Sequence, residues 1–425
     1  MSEQLPPQLN YSQLNSLPGN TVNTSMVIAP SNGSGFLPGS VIYFDLPASG
    51  YMDGSTLYMR YTFNCLATVA NSFIRGCPAA APFSRLELTA GSNTIENIPY
   101  YNVLYNLMSK VKLNAAQKAA SPHLGYIDSL PAASGTAPTL VNCNGRIITY
   151  NAAAQSMTFA FPVLCSLSQA EKLIPLGMMN AIRFAFTLDA TANYMYQAAT
   201  GVLAGVSLSG CELCYDICQF GPDVDQQIRS TSQMINIKSR GFGLQSQPIS
   251  TGFVGNTSLT YQMRYSSIIS LFALLTPSRG GLTFDSADIC SGSGNYQFSV
   301  NGTQYPNRAL DAAQKSGVYQ ELMLAVGALH NANANMSITA GEWNSTDATA
   351  AGTYATPQYF AIGVNTEKLS SATSLLSGIS SREAPVIFTV NCNSATNYGY
   401  TVICVAMHDK IIQVDTQLKQ VNMIV

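Results

Sequence analysis

The feature that most constrains this chain is a series of local patterns that occurs twice in the same order. Met59-Arg60-Tyr61 has a counterpart in Met263-Arg264-Tyr265, and Leu86-Glu87-Leu88-Thr89-Ala90-Gly91 in Phe298-Ser299-Val300-Asn301-Gly302. Val103-Leu104-Tyr105-Asn106-Leu107-Met108 matches Val318-Tyr319-Gln320-Glu321-Leu322-Met323. An apolar run then leads to Glu171-Lys172-Leu173 in one half and Glu367-Lys368-Leu369 in the other, each followed by a glycine, Gly177 or Gly378. The runs 182–186 and 386–390 come next, and Val224-Asp225-Gln226-Gln227-Ile228 pairs with Val414-Asp415-Thr416-Gln417-Leu418. Any one of these matches could arise by chance. Six in one order, offset by about 190 to 215 residues, read as a duplication whose loops have drifted in length.

The repeated unit is mostly β. Residues 41–46, 56–63, 85–89, 157–161, 181–188, 260–264, 296–300, 359–364, 386–390, 401–406 and 411–414 are short apolar or alternating runs. They are rich in β-branched and aromatic residues and bounded by Gly, Pro, Asn and Ser, so they read as strands. Many short strands in a long chain favour sandwiches over a parallel α/β fold. Two segments break the pattern. Tyr101, Leu104, Tyr105, Met108 and Val111 recur at helical spacing within 100–119, and Leu310, Ala313, Leu322 and Val326 do so within 309–326. Each predicts a helix inserted into a β scaffold. Residues 114–139 and 331–356, rich in small and polar residues, read as long surface loops.

The repeat divides the chain into residues 1–20 as an N-terminal arm, 21–228 as a first domain and 229–425 as a second. The polar stretch 229–233 serves as the linker. The arm has no basic n-region and no apolar h-region, so it does not read as a signal peptide, and synthesis in the cytosol is expected. Ten cysteines, mostly inside apolar runs, then read as reduced and buried. Charged residues are 10% of the chain, against about 25% in ordinary domains. A surface so poor in charge suits a protein that covers itself with copies or partners, although an ordinary secreted β protein fits as well.

Against this frame of strands, particular residues resemble a known family. Phe298-Ser299-Val300-Asn301-Gly302, with Tyr305-Pro306-Asn307-Arg308 ahead of a helix, looks like the second jelly roll of double jelly-roll major capsid proteins. Tyr359-Phe360-Ala361-Ile362-Gly363-Val364, with Glu367-Lys368-Leu369 and Ser377-Gly378-Ile379, is similar to that jelly roll's next strand and loop. The ending, with Asp409-Lys410-Ile411-Ile412 and Val414-Asp415, looks like its final strand pair. The family spans nucleocytoplasmic large DNA viruses, virophages and polinton-like viruses. The resemblance implies an all-β fold with minor inserted helices: two tandem eight-stranded antiparallel jelly-roll β-sandwiches. It implies a structural subunit that forms a homotrimer, a pseudo-hexameric capsomer tiling an icosahedral shell. Neighbouring capsomers, minor capsid or penton proteins and an internal membrane are the implied partners. The implied location is the virion, after synthesis in the host cytoplasm.

Charge distribution agrees with a shell that does not grip its genome. No Lys or Arg precedes Arg60, whereas binding packed phosphate needs many cations. Direct nucleic-acid binding is not expected, and the polar N-terminal arm reads either as lying along neighbouring subunits or as a disordered terminus.

Motifs for catalysis or cofactors are not found, so no catalytic, cofactor-binding or metal-ligating residue is assigned and no enzymatic activity is expected. Cys211-Glu212-Leu213-Cys214, with Cys218, lacks the second pair or nearby His that zinc requires. On a strand Cys211 and Cys214 point to opposite faces. His123 and His330 fall in expected loops, and His408 in an expected turn, His408-Asp409-Lys410. There is no nucleophile elbow and no phosphate-binding glycine loop; 32–35 and 291–294 read as turns. Asp223-Val224-Asp225 would put two carboxylates on one face of a strand, without calcium-loop spacing. Sequons such as those at Asn256, Asn301 and Asn344 are expected from composition alone. The alternative function is a tandem jelly-roll carbohydrate-binding module, for which Trp343, the one tryptophan, is the candidate platform.

Overall fold

The computed structural model describes residues 21–66, 72–113, 117, 120–125, 145–148, 155–196, 204–231, 233–277, 293–311, 314–327, 338, 343, 360–367, 376–396 and 399–424. The arm 1–20, His330, Cys143, Cys290 and most of the two long loops lie outside the described residues.

Eight principal strands build the first sandwich: β1 (Val22–Ile28), β2 (Val41–Asp45), β3 (Tyr51–Leu66), β4 (Phe83–Ala90), β5 (Asn93–Pro99), β6 (Gln155–Pro162), β7 (Ile182–Leu188) and β8 (Ala204–Gln219). Eight more build the second: β9 (Met234–Ile249), β10 (Gly255–Tyr261), β11 (Ile268–Pro277), β12 (Ser293–Val300), β13 (Thr303–Asp311), β14 (Ala361–Asn365), β15 (Val386–Cys392) and β16 (Tyr400–Asp415). A last strand, β17 (Gln420–Ile424), folds back on β16.

In the first sandwich β1-β8-β3 run side by side with β6 on the far edge of β3, facing a sheet ordered β2-β7-β4-β5. In the second, β9-β16-β11-β14 faces β10-β15-β12-β13. The pairings are antiparallel. In each half the first, eighth, third and sixth strands form one sheet; the second, seventh, fourth and fifth form the other. This is the jelly-roll order, and it occurs twice.

Alternation in the sequence explains the layers. β7 buries Ile182, Phe184, Phe186 and Leu188, and β15 buries Val386, Phe388, Val390 and Cys392, with the residues between turned outward. Tyr61, Phe83, Phe161 and Phe186 meet between the first pair of sheets, and Tyr296, Phe298 and Phe388 between the second. Both repeated turns are two-residue hairpins. Asn301 and Gly302 have φ of 50° and 76°, which their residue types tolerate and which matches the twist of the flanking strands. Helix α1 (Tyr101–Lys112) follows β5, and α3 (Lys315–Val326) follows β13; α2 (Pro222–Thr231) lies between the sandwiches in sequence. The ends flanking 67–82, 100–154 and 189–203 gather at one end of the first sandwich, the rim. Turn 91–92 and connections 46–50 and 163–181 gather at the opposite end, the base.

Several expectations are corrected. Met59–Tyr61 lie within β3, but β10 ends at Tyr261, so Met263–Tyr265 lie in the connection before β11. There the Ser381 hydroxyl donates to Met263 O and accepts the Tyr265 N–H, the Ser381 N–H donates to Tyr265 O, and Tyr265 stacks on His408. The second helix starts at Lys315 instead of 309, because Leu310 pairs with Tyr296 in β13; Ala313 is outside the described residues. The first ends at Lys112 instead of 119 among the described residues. Asp223 and Asp225 lie in the first turn of α2, where carboxylates favour the helix dipole, and not on a strand. Val224–Ile228 are therefore helical, whereas Val414 and Asp415 end β16, and the expected linker overlaps α2. His408-Asp409-Lys410 is no turn: β16 runs through it without a break.

Candidate assembly interface

That unbroken strand marks the chemistry of the molecule. Of the sixteen residues of β16 only Thr401 and Gln413 are not buried, so both faces of the strand are covered. One face belongs to the core of the second sandwich; the first sandwich covers the other. Lys410 Nζ donates to the Ile95 carbonyl at 2.7 Å and lies 3.7 Å from Glu96 Oε1, both on β5. Lys410 and Glu96 are 4% and 3% exposed, so the pair is desolvated, and each ion depends on the other. Glu96 also accepts the Ser166 N–H at 2.6 Å and the Phe242 N–H at 3.4 Å, and so ties 163–181 to β9.

His408 is buried, with its ring stacked on Tyr265 at 3.9 Å. Burial, with Lys410 adding to it, pushes its pKa down to about 4 against opposing effects of Asp409 and Glu96, so the ring is neutral. Asp409 accepts hydrogen bonds from Ser267 Oγ at 2.7 Å and the Ser377 N–H at 2.8 Å. Towards the rim, Tyr100 and Ser246 hydroxyls meet at 2.9 Å beside a cavity of about 310 Å³ lined by Arg85, Asn102, Asp189, Thr401 and Ile403. Towards the base, the Glu171 N–H donates to Lys238 O and the Asn180 N–H to Lys419 O. Arg229 on α2 donates to Thr416 O at 2.9 Å. Together these contacts lock the two sandwiches from rim to base.

The equivalent sheet of the first sandwich has exposed side chains on its outer face. Strand β3 alternates along 57–65, with Leu57, Met59, Tyr61, Phe63 and Cys65 inward, and Tyr58 and Arg60 exposed. Cross-strand pairing sets Val27, Cys214, Tyr58 and Pro162 in one row over β1, β8, β3 and β6. Val27 is 54% and Tyr58 39% exposed. On one side of the row lies the Arg60–Glu212 ion pair; on the other is Asp216, which accepts from Ser25 Oγ at 2.6 Å. A cavity of about 320 Å³ opens at its end between Ser55, Thr56, Tyr58, His123 and Pro162.

The singled-out residues are dispersed. Cys211 faces the core and Cys214 the outer row, as their spacing on a strand requires. Burial pushes the Cys211 thiol up to about 12, so it holds its proton. His123, on a short 3₁₀ turn, is exposed, and His408 lies in the inter-sandwich contact. Among the described residues no three His, Cys, Asp or Glu side chains are placed to hold a metal ion. Trp343, the candidate platform, is 3% exposed; its Nε1 donates to Ala361 O at 3.1 Å and its ring packs on Phe360 and Tyr319. It is a core residue and offers no sugar a surface. Sequence reasoning missed Glu96 and the role of Lys410. The available signal was a polar triplet, His408-Asp409-Lys410, between two strongly apolar β runs.

No protein-family model matches the chain, and no curated protein does. Solved structures do. One, from the quasi-atomic model of the PBCV-1 virus capsid, superposes with a TM-score of 0.63 at 10% identity, covering 96% of this chain and 97% of that one. The Faustovirus major capsid protein gives a TM-score of 0.59 at 11% identity, over 96% and 92%. A chain of the Sputnik virophage gives 0.58 at 11%, over 100% and 92%. The chain therefore has the tandem jelly-roll fold of these capsid structures along its whole length.

Proposed function

We propose that this chain is a viral major capsid protein. Three copies join into a capsomer of six sandwiches, and capsomers tile a closed icosahedral shell. The observation that carries this is the cover of both chains, 96% and 97%, by one fold in which two jelly rolls are joined in tandem. A scaffold shared with one sandwich would say little, since jelly rolls serve many functions. A locked pair of sandwiches extending over the full length of capsid subunits is far more restrictive. Low charge and exposed apolar side chains, Val27 and Tyr58, on one sheet face support self-association.

On this reading the domains divide near residue 228, the protein acts without catalysis, and it resides in the virion after synthesis in the host cytoplasm. Minor capsid or penton proteins and an internal membrane are its further partners. Purified protein, sized by light scattering and imaged by negative stain, is expected as particles of three 45.3 kDa chains with near-hexagonal outline, or as shells. A protein that stays monomeric at high concentration refutes the proposal.

A further inference from the structure

Towards the rim, side chains leave part of the contact between the sandwiches unfilled. Strand β4, the end of β5, the start of α1 and the connection after β7 wall this cavity from the first sandwich. Thr276 on β11, with Thr401 and Ile403 on β16, walls it from the second. Its volume of about 310 Å³ is twice the ~150 Å³ that admits a benzene ring, which leaves room for one ring and a short chain. Tyr100 braces the cleft. Its backbone lies in the left-handed region, at φ 54° and ψ 44°, where a bulky residue is strained. Its hydroxyl meets Ser246 of the second sandwich, so the ring spans the gap as a wall.

The lining selects an occupant. Pro99, Val103, Ile403 and the Tyr100 ring make the walls apolar. Arg85 and Asp189 are the charged lining residues, and their situations differ. Arg85 is already paired: Nε donates to Asn97 Oδ1 at 2.8 Å, and Nη2 lies 3.0 Å from Glu87 Oε2. Asp189 has neutral donors. One oxygen accepts from Asn193 Nδ2 at 2.7 Å and the Ala190 N–H at 2.8 Å; the other accepts from Asn102 Nδ2 at 3.0 Å. These bonds fix the carboxylate without cancelling its charge, and the first turn of α1 adds only about half a positive charge. With Glu87 counted, the cleft keeps a net negative charge. An anion is repelled there, and a fully apolar molecule leaves the carboxylate unanswered.

We propose that this cleft binds a small organic cation, with an ammonium head on Asp189 and a body of one ring between Pro99, Val103 and Ile403. Both sandwiches wall the site, so the bound cation strengthens their docking. The inference does not depend on the capsid reading.

Phenethylammonium, phenylethanol and phenylacetate test it, because they share a ring and a chain and differ in the charge of the head. Ligand-observed NMR titration of the full chain at neutral pH is expected to give a Kd of about 1 mM for the ammonium probe, as its size allows. The alcohol should bind about tenfold more weakly, and the acid without saturation. Thr401 is half-buried and lines the cavity, so Thr401→Phe fills it and should abolish binding of both. Asp189→Asn should lower the ammonium probe to the affinity of the alcohol. If that variant fails to fold by circular dichroism, Arg85→Gln carries the charge test; its side chain is exposed, and its loss should tighten ammonium binding severalfold. Equal affinities for the three probes, no saturable binding of the ammonium probe, or ammonium binding that survives Thr401→Phe or ignores the charge variant overturns the proposal.

Discussion

Acid should loosen the contact between the sandwiches through His408. Its folded-state pKa of about 4 lies below the ordinary 6.5. Above pH 6.5 the ring is neutral in both folded and unfolded chains, and His408 adds no pH dependence. Between pH 6.5 and 4 the unfolded chain takes up a proton that the folded one refuses, so stability falls as pH falls. At pH 5 the two pKa values give a loss of about 2 kcal/mol, approaching about 3 kcal/mol below pH 4. The facing groups are Tyr265, Asp409, Lys410 and Glu96. His408→Phe retains the stack on Tyr265 and removes the proton site. Urea midpoints measured from pH 7 to 4.5 should decline more steeply for wild type than for His408→Phe. The difference between the two curves isolates His408 from the carboxylates that titrate in the same range. Parallel curves between pH 6.5 and 5 would refute the reasoning.

Lys410→Met alone leaves Glu96 buried without its cation and should cost about 3–5 kcal/mol in chemical denaturation. Adding Glu96→Leu should restore part of that loss, as a double-mutant cycle would show. Gly54→Ala would drive a methyl into the Leu167 carbonyl oxygen, so a drop of more than about 2 kcal/mol in unfolding free energy is expected. Trp343, the only tryptophan, should emit at short wavelength in the native protein, shift to the red on unfolding, and not respond to glycans.

The sandwiches were legible where a strand has one dry and one wet face, as at Ile182–Leu188 and Val386–Cys392, since period-two alternation then reports the fold directly. The Asn301-Gly302 hairpin was legible because few residues tolerate two positive φ angles in succession. Failures came where tertiary contact overrides local pattern. Leu310 has helical spacing to residues of α3, yet it belongs to β13, whose pairing with β12 a single-helix reading cannot represent. Met263-Arg264-Tyr265 matched Met59-Arg60-Tyr61 in letters, but Tyr265 leaves the sheet to stack on His408. Trp343 lay in a polar, small-residue stretch, and nothing local announces that a residue there fills the core between α3 and β14.

His408-Asp409-Lys410 is the most instructive case. Three polar residues between apolar runs are the usual mark of a turn at the surface, because burying them unpaired is costly. Here each has a partner: Tyr265 for the imidazole, Ser267 and Ser377 for the carboxylate, Ile95 and Glu96 for the ammonium. The partner of Lys410 comes from the first sandwich, over 300 residues away in sequence. The triplet is therefore a signature of the interface between the two sandwiches, readable only with both halves present. Joining the two sandwiches in one chain makes this contact intramolecular and raises its effective concentration. A buried ion pair, which contributes little net stability, can still fix one docking register there. Among the described residues the outer face of the first sandwich shows no such buried pair; its Arg60–Glu212 pair lies beside an apolar row and stays partly solvated. On the capsid reading, a surface that is soluble before assembly and covered after it is built in that second way.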